Sequence, residues 1–168
     1  GDFYEMFFDD AKTASKELEL TLTGRDCGQE ERAPMCGVPF HSSEAYIARL
    51  VSKGYKVAIC EQTEDPATAK GLVKRDIIRV VTPGTIMEAS MLDESKNNYI
   101  CSVYKIKDNI GVAFCDISTG ELSASLLSGK ECDNRFKNEL GRFLPSEILI
   151  GGEAIKIKEL SAFIKDKL

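Results

Sequence analysis

Four groups of residues in this 168-residue chain are of types that do chemistry. Cys27, Cys36, Cys60, Cys101, Cys115 and Cys132 share the chain with a single histidine, His41. Structural zinc sites usually draw on closely paired ligands, and these cysteines stand singly with no CxxC pair. Cys27, Cys36 and His41 are therefore the one zinc candidate, disfavoured against reduced thiols in a cytosolic protein. Cys60, Cys101 and Cys115 fall in apolar strand-like runs, where a thiol behaves as a small hydrophobe. Asp116 ends a strand with Glu121 as its one acidic companion, whereas a two-metal nuclease needs several carboxylates converging on its ions. Ser128-Gly129-Lys130 approaches a phosphate loop but lacks the upstream glycine and the following hydroxyl residue. The fourth group is the run Phe3-Tyr4-Glu5-Met6-Phe7-Phe8. Strand alternation puts Phe3, Glu5 and Phe7 on one face and Tyr4, Met6 and Phe8 on the other. On that pattern alone it reads as a buried strand whose Glu5 reaches a sheet edge or pairs with a lysine.

The elements that must position these groups fall into two halves. In the first, a strand at Phe3 to Phe8 leads into a helix through Leu18, with Asp9 and Asp10 suited to its N-terminus. Glu19 to Thr23 alternates as a half-buried strand does, and Gly24 to Arg32 reads as a loop. Ala33 to Phe40 carries two prolines and a glycine and reads as a turn from Pro34 to Pro39. Ser42 and Ser43 can cap a helix with Ala45, Ile47, Ala48, Leu50 and Val51 as its apolar face and Gly54 as its stop. Val57 to Cys60 and Ile77 to Val81 look like buried strands. Residues 86–96 carry acidic and small residues without a β period and read as a linker. Three strands follow, at Tyr99 to Ile106, Ile110 to Ile117 and Glu121 to Leu127, with turn chemistry at Asp108-Asn109 and Thr119-Gly120. A helix from about Glu131 to Phe143, a strand at Glu147 to Ile150 and a final helix complete βββαβα, the order in which an RNase H-like fold begins.

Composition narrows the classes. With 43% hydrophobic and 29% charged residues, the chain can bury the core of one large domain or two small ones. Starting at Gly1 without an initiator Met and stopping within a predicted helix, it reads as a piece of a longer protein. No apolar run approaches membrane-spanning length, and the first residues are acidic rather than basic. The net charge of −5 has the wrong sign for gripping DNA through phosphate neutralisation.

GDFYEMFFDDAKTAS resembles the start of the mismatch-binding domain of MutS-type DNA mismatch-recognition proteins, which carries a Phe-x-Glu motif in this context. The resemblance continues through Pro34-Met35-Cys36-Gly37-Val38-Pro39-Phe40-His41, Val57-Ala58-Ile59-Cys60-Glu61-Gln62, Asp65-Pro66-Ala67 and Val80-Val81-Thr82-Pro83-Gly84-Thr85. Asp116-Ile117-Ser118-Thr119-Gly120 and Pro145-Ser146-Glu147-Ile148 are similar, more loosely, to the family's connector domain. The fold implied is α/β: a mixed-sheet mismatch-binding domain at 1–85, a linker at 86–96 and a truncated RNase H-like connector domain at 97–168.

The resemblance also implies a function. Phe3 would be a wedge that enters the minor groove and stacks on a mispaired base in kinked duplex, with Glu5 as its polar companion. Wedge insertion costs unstacking energy that falls where pairing is already defective, so selectivity can come from deformability. Glu5 would accept a hydrogen bond from a base, or take up a proton beside the phosphates and donate. Its repulsion from normal duplex would also sharpen discrimination. Arg25 matches a position near the DNA backbone. The Pro34 to Pro39 turn either brings an exposed Met35 toward the minor groove or packs Met35 and Val38 into the core. Lys70, Lys74, Arg75 and Arg79, the densest basic stretch, read as a solvated face, and His41 as a structural hydrogen-bonding residue. The partners implied are mismatched double-stranded DNA, a MutL-type protein and a second copy in a homodimer of the parent protein. ATP and Mg belong to the parent chain, with no cofactor or catalytic residue in this one, and the setting is cytoplasmic, at the nucleoid. An RNase H-like nuclease built on Asp116 and a docking module without a DNA role are the alternatives.

Overall fold

A computed structural model describes residues 2–65, 67, 69 and 71–167. Lys70 of the basic stretch and Pro66 of the Asp65-Pro66-Ala67 block lie outside them. The chain divides into two compact units, Gly1–Val81 and Thr82–Leu168. The first runs β1 (Phe3–Phe7), α1 (Phe8–Leu18), β2 (Thr23–Arg25), β3 (Ala33–Pro39), α2 (Ser43–Ser52), β4 (Val57–Gln62) and β5 (Arg75–Val81). The second runs β6 (Tyr99–Ile106), β7 (Asn109–Asp116), β8 (Glu121–Ser128), α3 (Cys132–Phe143), β9 (Glu147–Gly152) and α4 (Lys158–Lys167). Among the described residues no helix is long and apolar enough to cross a membrane.

In the first unit, β1, β3 and β2 form an antiparallel sheet in that order, with β3 in the centre. The segment expected as a Pro-bounded turn is thus a strand. Ladder parity explains how it tolerates its prolines. The Phe40 N–H donates to the Asp2 carbonyl, so even-numbered residues of β3 face β1 and odd-numbered ones face β2. Pro34 then points its missing donor past the end of β1, and Pro39 points its own past the end of β2. Helix α1 covers one face of the sheet. Ala11, Ala14 and Leu18, at helical spacing, are buried with Cys36, Val38 and Leu50, and Tyr4 and Met6 pack against them. The small Ala11 lets the sheet approach closely enough for the Cys36 thiol to reach the Ala11 carbonyl at 3.4 Å.

Three further expectations fail here. Glu19 to Thr23 is no strand, because Glu19 ends α1 with a left-handed φ of 59° and pairing starts only at Thr23. Ser42 gives α2 no side-chain cap; the Ser42 and Ser43 hydroxyls turn back to the carbonyls of Pro39 and Phe40. Strands β4 and β5 form a separate two-stranded antiparallel ribbon that leaves Cys60, Ile77, Ile78 and Val80 exposed rather than buried.

The second unit holds a four-stranded sheet in the order β8-β7-β6-β9, antiparallel except that β9 runs parallel to β6. This is the βββαβα arrangement expected. Cys101, Val103, Ile110, Val112 and Phe114 line one face of the sheet and pack with Phe136, Leu140 and Leu160 of the two helices. The β7–β8 turn closes through the Gly120 N–H donating to the Asp116 carbonyl, with Gly120 at φ 75°. Thr82, Pro83 and Gly84 cap this unit's edge: the Thr82 hydroxyl and the Gly84 N–H donate to the Glu147 carboxylate, and Asn98 Nδ2 donates to the Pro83 carbonyl at 2.9 Å.

Candidate nucleic-acid interface

Register places all four residues singled out from the sequence on one face of the β1-β3-β2 sheet. Phe3 pairs with Pro39, Glu5 with Gly37 and Phe7 with Met35, while Met35 also pairs with Thr23, and Arg25 with Ala33. Directly paired residues share a face, and this is the face opposite α1. Phe3 is 58% exposed at the start of its strand. A Cβ on Gly37 would stand 3.6 Å from the Phe3 ring and 3.9 Å from Glu5 Cγ, so the ring lies over a position kept free of side chain. The strand is therefore not buried on both faces, and among the described residues Glu5 pairs with no lysine.

Glu5 instead accepts a hydrogen bond from Arg25 Nη1 at 2.7 Å, with the two side chains 39% and 58% exposed. To reach it, Arg25 crosses diagonally over β3, and its guanidinium lies 5.9 Å from the centre of the Phe7 ring. Met35 is half-buried in the row between, neither projecting as an exposed loop tip nor fully in the core. Val38, two rows along on the other face, is buried. The face thus offers an exposed ring, a carboxylate beside it, and a cation already paired to that carboxylate. Such a surface can stack on a planar group, accept from a polar edge and meet an anion. Gly37 and Phe7 escaped attention as site residues; the pairing of residues 5 and 7 with 37 and 35 would have been the signal.

The covered face contributes stiffness. The Tyr4 hydroxyl donates to Glu61 of β4, and its own acidity is pushed down, with a pKa raised to about 12, by that hydrogen bond and by burial. Tyr4 also stacks at a tilt on Phe40, with ring centres 5.4 Å apart. Lys74 pairs with Asp76 and Arg75 donates to the Val73 carbonyl, both exposed, as a solvated basic stretch would.

The other groups are structurally engaged. The Asp116 carboxylate, buried at 1% exposure, accepts from the Ser118 amide and hydroxyl and from the amides of Thr119 and Asn98. Burial pushes its pKa up, but those hydrogen bonds prevail and hold it below the ordinary carboxylate value. Glu121 meanwhile accepts from Asn97, so this pair has the geometry of a turn anchor. Cys36 is spent in the core and Cys27 stands exposed on a loop; among the described residues no three His, Cys, Asp or Glu converge.

The family model of MutS domain I matches residues 1–90, and that of MutS domain II matches residues 98–166. The DNA mismatch repair protein MutS of Acetivibrio thermocellus is 58% identical over 167 residues, which is 99% of this chain and 19% of that protein. Its counterpart in Ruminiclostridium cellulolyticum is 59% identical over the same coverage. That of Clostridium tetani is 57% identical over 162 residues, 95% of this chain and 18% of that protein. The chain spans about a fifth of the length of these relatives. With two successive family models tiling it and such identity across almost its whole length, the chain belongs to the MutS family.

Proposed function

We propose that the open face of β1-β3-β2 is the part of a mismatch repair protein that probes duplex DNA for mispaired or unpaired bases. The observation that carries this is the placement of Phe3, an exposed ring at a strand end with a carboxylate two residues away on the same face. Phe3 enters the minor groove as a wedge and Glu5 meets the displaced base. Arg25 serves the neighbouring backbone, and Met35 fills the apolar row behind the wedge. A wedge reads how easily a step unstacks, which suits a sensor that must find any wrong pair in any sequence. The charge of −5 is compatible with this division, because the chain supplies the probe while the remaining four-fifths of the protein supplies most phosphate contacts.

The second unit, an RNase H-like connector, passes the state of an ATP- and Mg-dependent motor elsewhere in the protein to the probe and offers a surface to a MutL-type partner. The protein acts as a homodimer in the cytoplasm, at the nucleoid. The test is an anisotropy titration of the full-length protein and its Phe3→Ala variant against a G·T heteroduplex and the matched homoduplex. Loss of the mismatch preference with weak homoduplex binding retained is the expected result. Equal discrimination by both proteins would make Phe3 a packing residue and end the wedge reading.

A further inference from the structure

The Arg25–Glu5 pair changes how the carboxylate can discriminate. An isolated Glu5 beside a wedge would repel every duplex it met, matched or not. Here Arg25 Nη1 sits 2.7 Å from Glu5 Oε2, so the charge that would do the repelling is already neutralised. The guanidinium is also the cation among the residues paired on this face, and it is held by the carboxylate. Both partners are well exposed, and ion pairs of that kind contribute little stability, so exchanging partners is cheap. The geometry eases it further: Arg25 is the last residue of a three-residue strand and reaches Glu5 diagonally, by a single nitrogen rather than a two-pronged clasp.

Resting on the probe reading above, we propose that Arg25 is a specificity-determining residue that works by partner exchange. When a phosphate draws the guanidinium away, Glu5 is left unpaired beside the backbone unless a base donor replaces it. In matched duplex the Watson–Crick donors are occupied, and the minor groove of A·T pairs presents acceptors alone; at a mispaired or unpaired base a Watson–Crick donor is freed. Matched A·T duplex therefore satisfies one member of the pair at the expense of the other, whereas a mismatch satisfies both. Discrimination comes from the need to find Glu5 a new donor, and Arg25 enforces that need.

The exchange makes a prediction that simple repulsion does not. The full-length protein is titrated with matched homoduplex over a range of salt concentrations, as wild type, Glu5→Gln, Arg25→Gln and the double variant. With Glu5 neutral, Arg25 is free for a phosphate on any duplex. Glu5→Gln should then tighten homoduplex binding roughly threefold to tenfold and steepen the log–log salt slope by about 0.9, the value of one added phosphate contact. In the Arg25→Gln background there is no cation to release, so the same Glu5→Gln change should leave the slope nearly unmoved, any gain in affinity there being relief of repulsion by the unpaired Glu5. Arg25→Lys, which keeps a single-point charge, should restore the slope change. Equal tightening in both backgrounds without a slope change would overturn the exchange and leave Glu5 acting by repulsion alone; so would failure of Arg25→Lys to restore it. Because only homoduplex is used, the outcome is independent of whether Phe3 proves to be the wedge.

Discussion

Each unit contains a sheet with one face under helices and one face open, and the two open faces differ in kind. That of β1-β3-β2 shows an aromatic ring, an ion pair and a second ring beneath the guanidinium. That of β8-β7-β6-β9 shows Tyr104, Leu122, Leu126 and Leu149 exposed around small residues such as Gly111 and Ala113. Apart from the Tyr104 ring, these exposed side chains are aliphatic, and aliphatic area offers only non-directional burial. A face that mixes rings and charges offers a ring that can stack on a planar group and polar groups that can meet its edge. The difference teaches that exposure alone does not mark a recognition surface. On the reading proposed above, what marks it is exposed apolar area held within reach of a charge whose present partner can be exchanged.

The sharpest way to break the comparison is to treat the same side chain identically in the two places. Phe114 of the second unit is 2% exposed and stacks on Phe143, with ring centres 4.1 Å apart and planes within 10°. Phe114→Ala should cost about 3–5 kcal/mol through lost burial and the cavity left behind, seen as an early unfolding transition of that unit in urea. A loss under about 1 kcal/mol would mean that the core collapses onto the gap and that the contrast with the open face is overstated.

A smaller effect is expected at Asp116. Its pKa is lower folded than unfolded, so the stability it contributes is present above its unfolded value. It is lost as pH falls through the folded value, in the acid range below about pH 4. Asp116→Asn turns an acceptor of four hydrogen bonds into a group that must aim an NH2 at N–H donors. It should cost about 1–3 kcal/mol at neutral pH and flatten the acid limb of the stability profile. An unaltered acid limb would remove the turn-anchor account and return the residue to consideration as a reacting group.

How much of this was legible in the sequence also differs between the units. The second was readable because its hairpin turns carry local signals and its strands alternate; only the ends moved, β9 running on to Gly152. The first resisted where local signals conflict with pairing. Pro34 and Pro39 read as turn residues until both neighbours of β3 and their lengths are known, since only then is it clear that neither proline removes a needed donor. The run Ile77-Ile78-Arg79-Val80-Val81 looks buried by composition, yet a two-stranded ribbon has too few neighbours to cover Ile77, Ile78 and Val80, and Val81 alone of its apolar residues is buried. At the site, alternation alone put Phe3 and Glu5 on one face. The Arg25–Glu5 pair spans three strands, and no spacing in the chain encodes a contact that depends on the register of residues 5, 37, 33 and 25.

The smallest expected effect is the most informative for function. Phe3→Ala removes a ring of the same size as Phe114, but from a position where over half of the residue is exposed and the ring lies near Gly37, which has no side chain. Stability should move by no more than about 0.5 kcal/mol, as for surface substitutions away from caps, cavities and networks, read as an unchanged urea midpoint of the first unit. Paired with the DNA titration, that near-zero result gives any loss of mismatch preference its meaning. A variant that folds as well as wild type and no longer discriminates has lost a contact with DNA. If Phe3→Ala instead costs 2 kcal/mol or more, the ring packs against the protein, and a loss of discrimination would follow from a softened sheet rather than from a missing wedge.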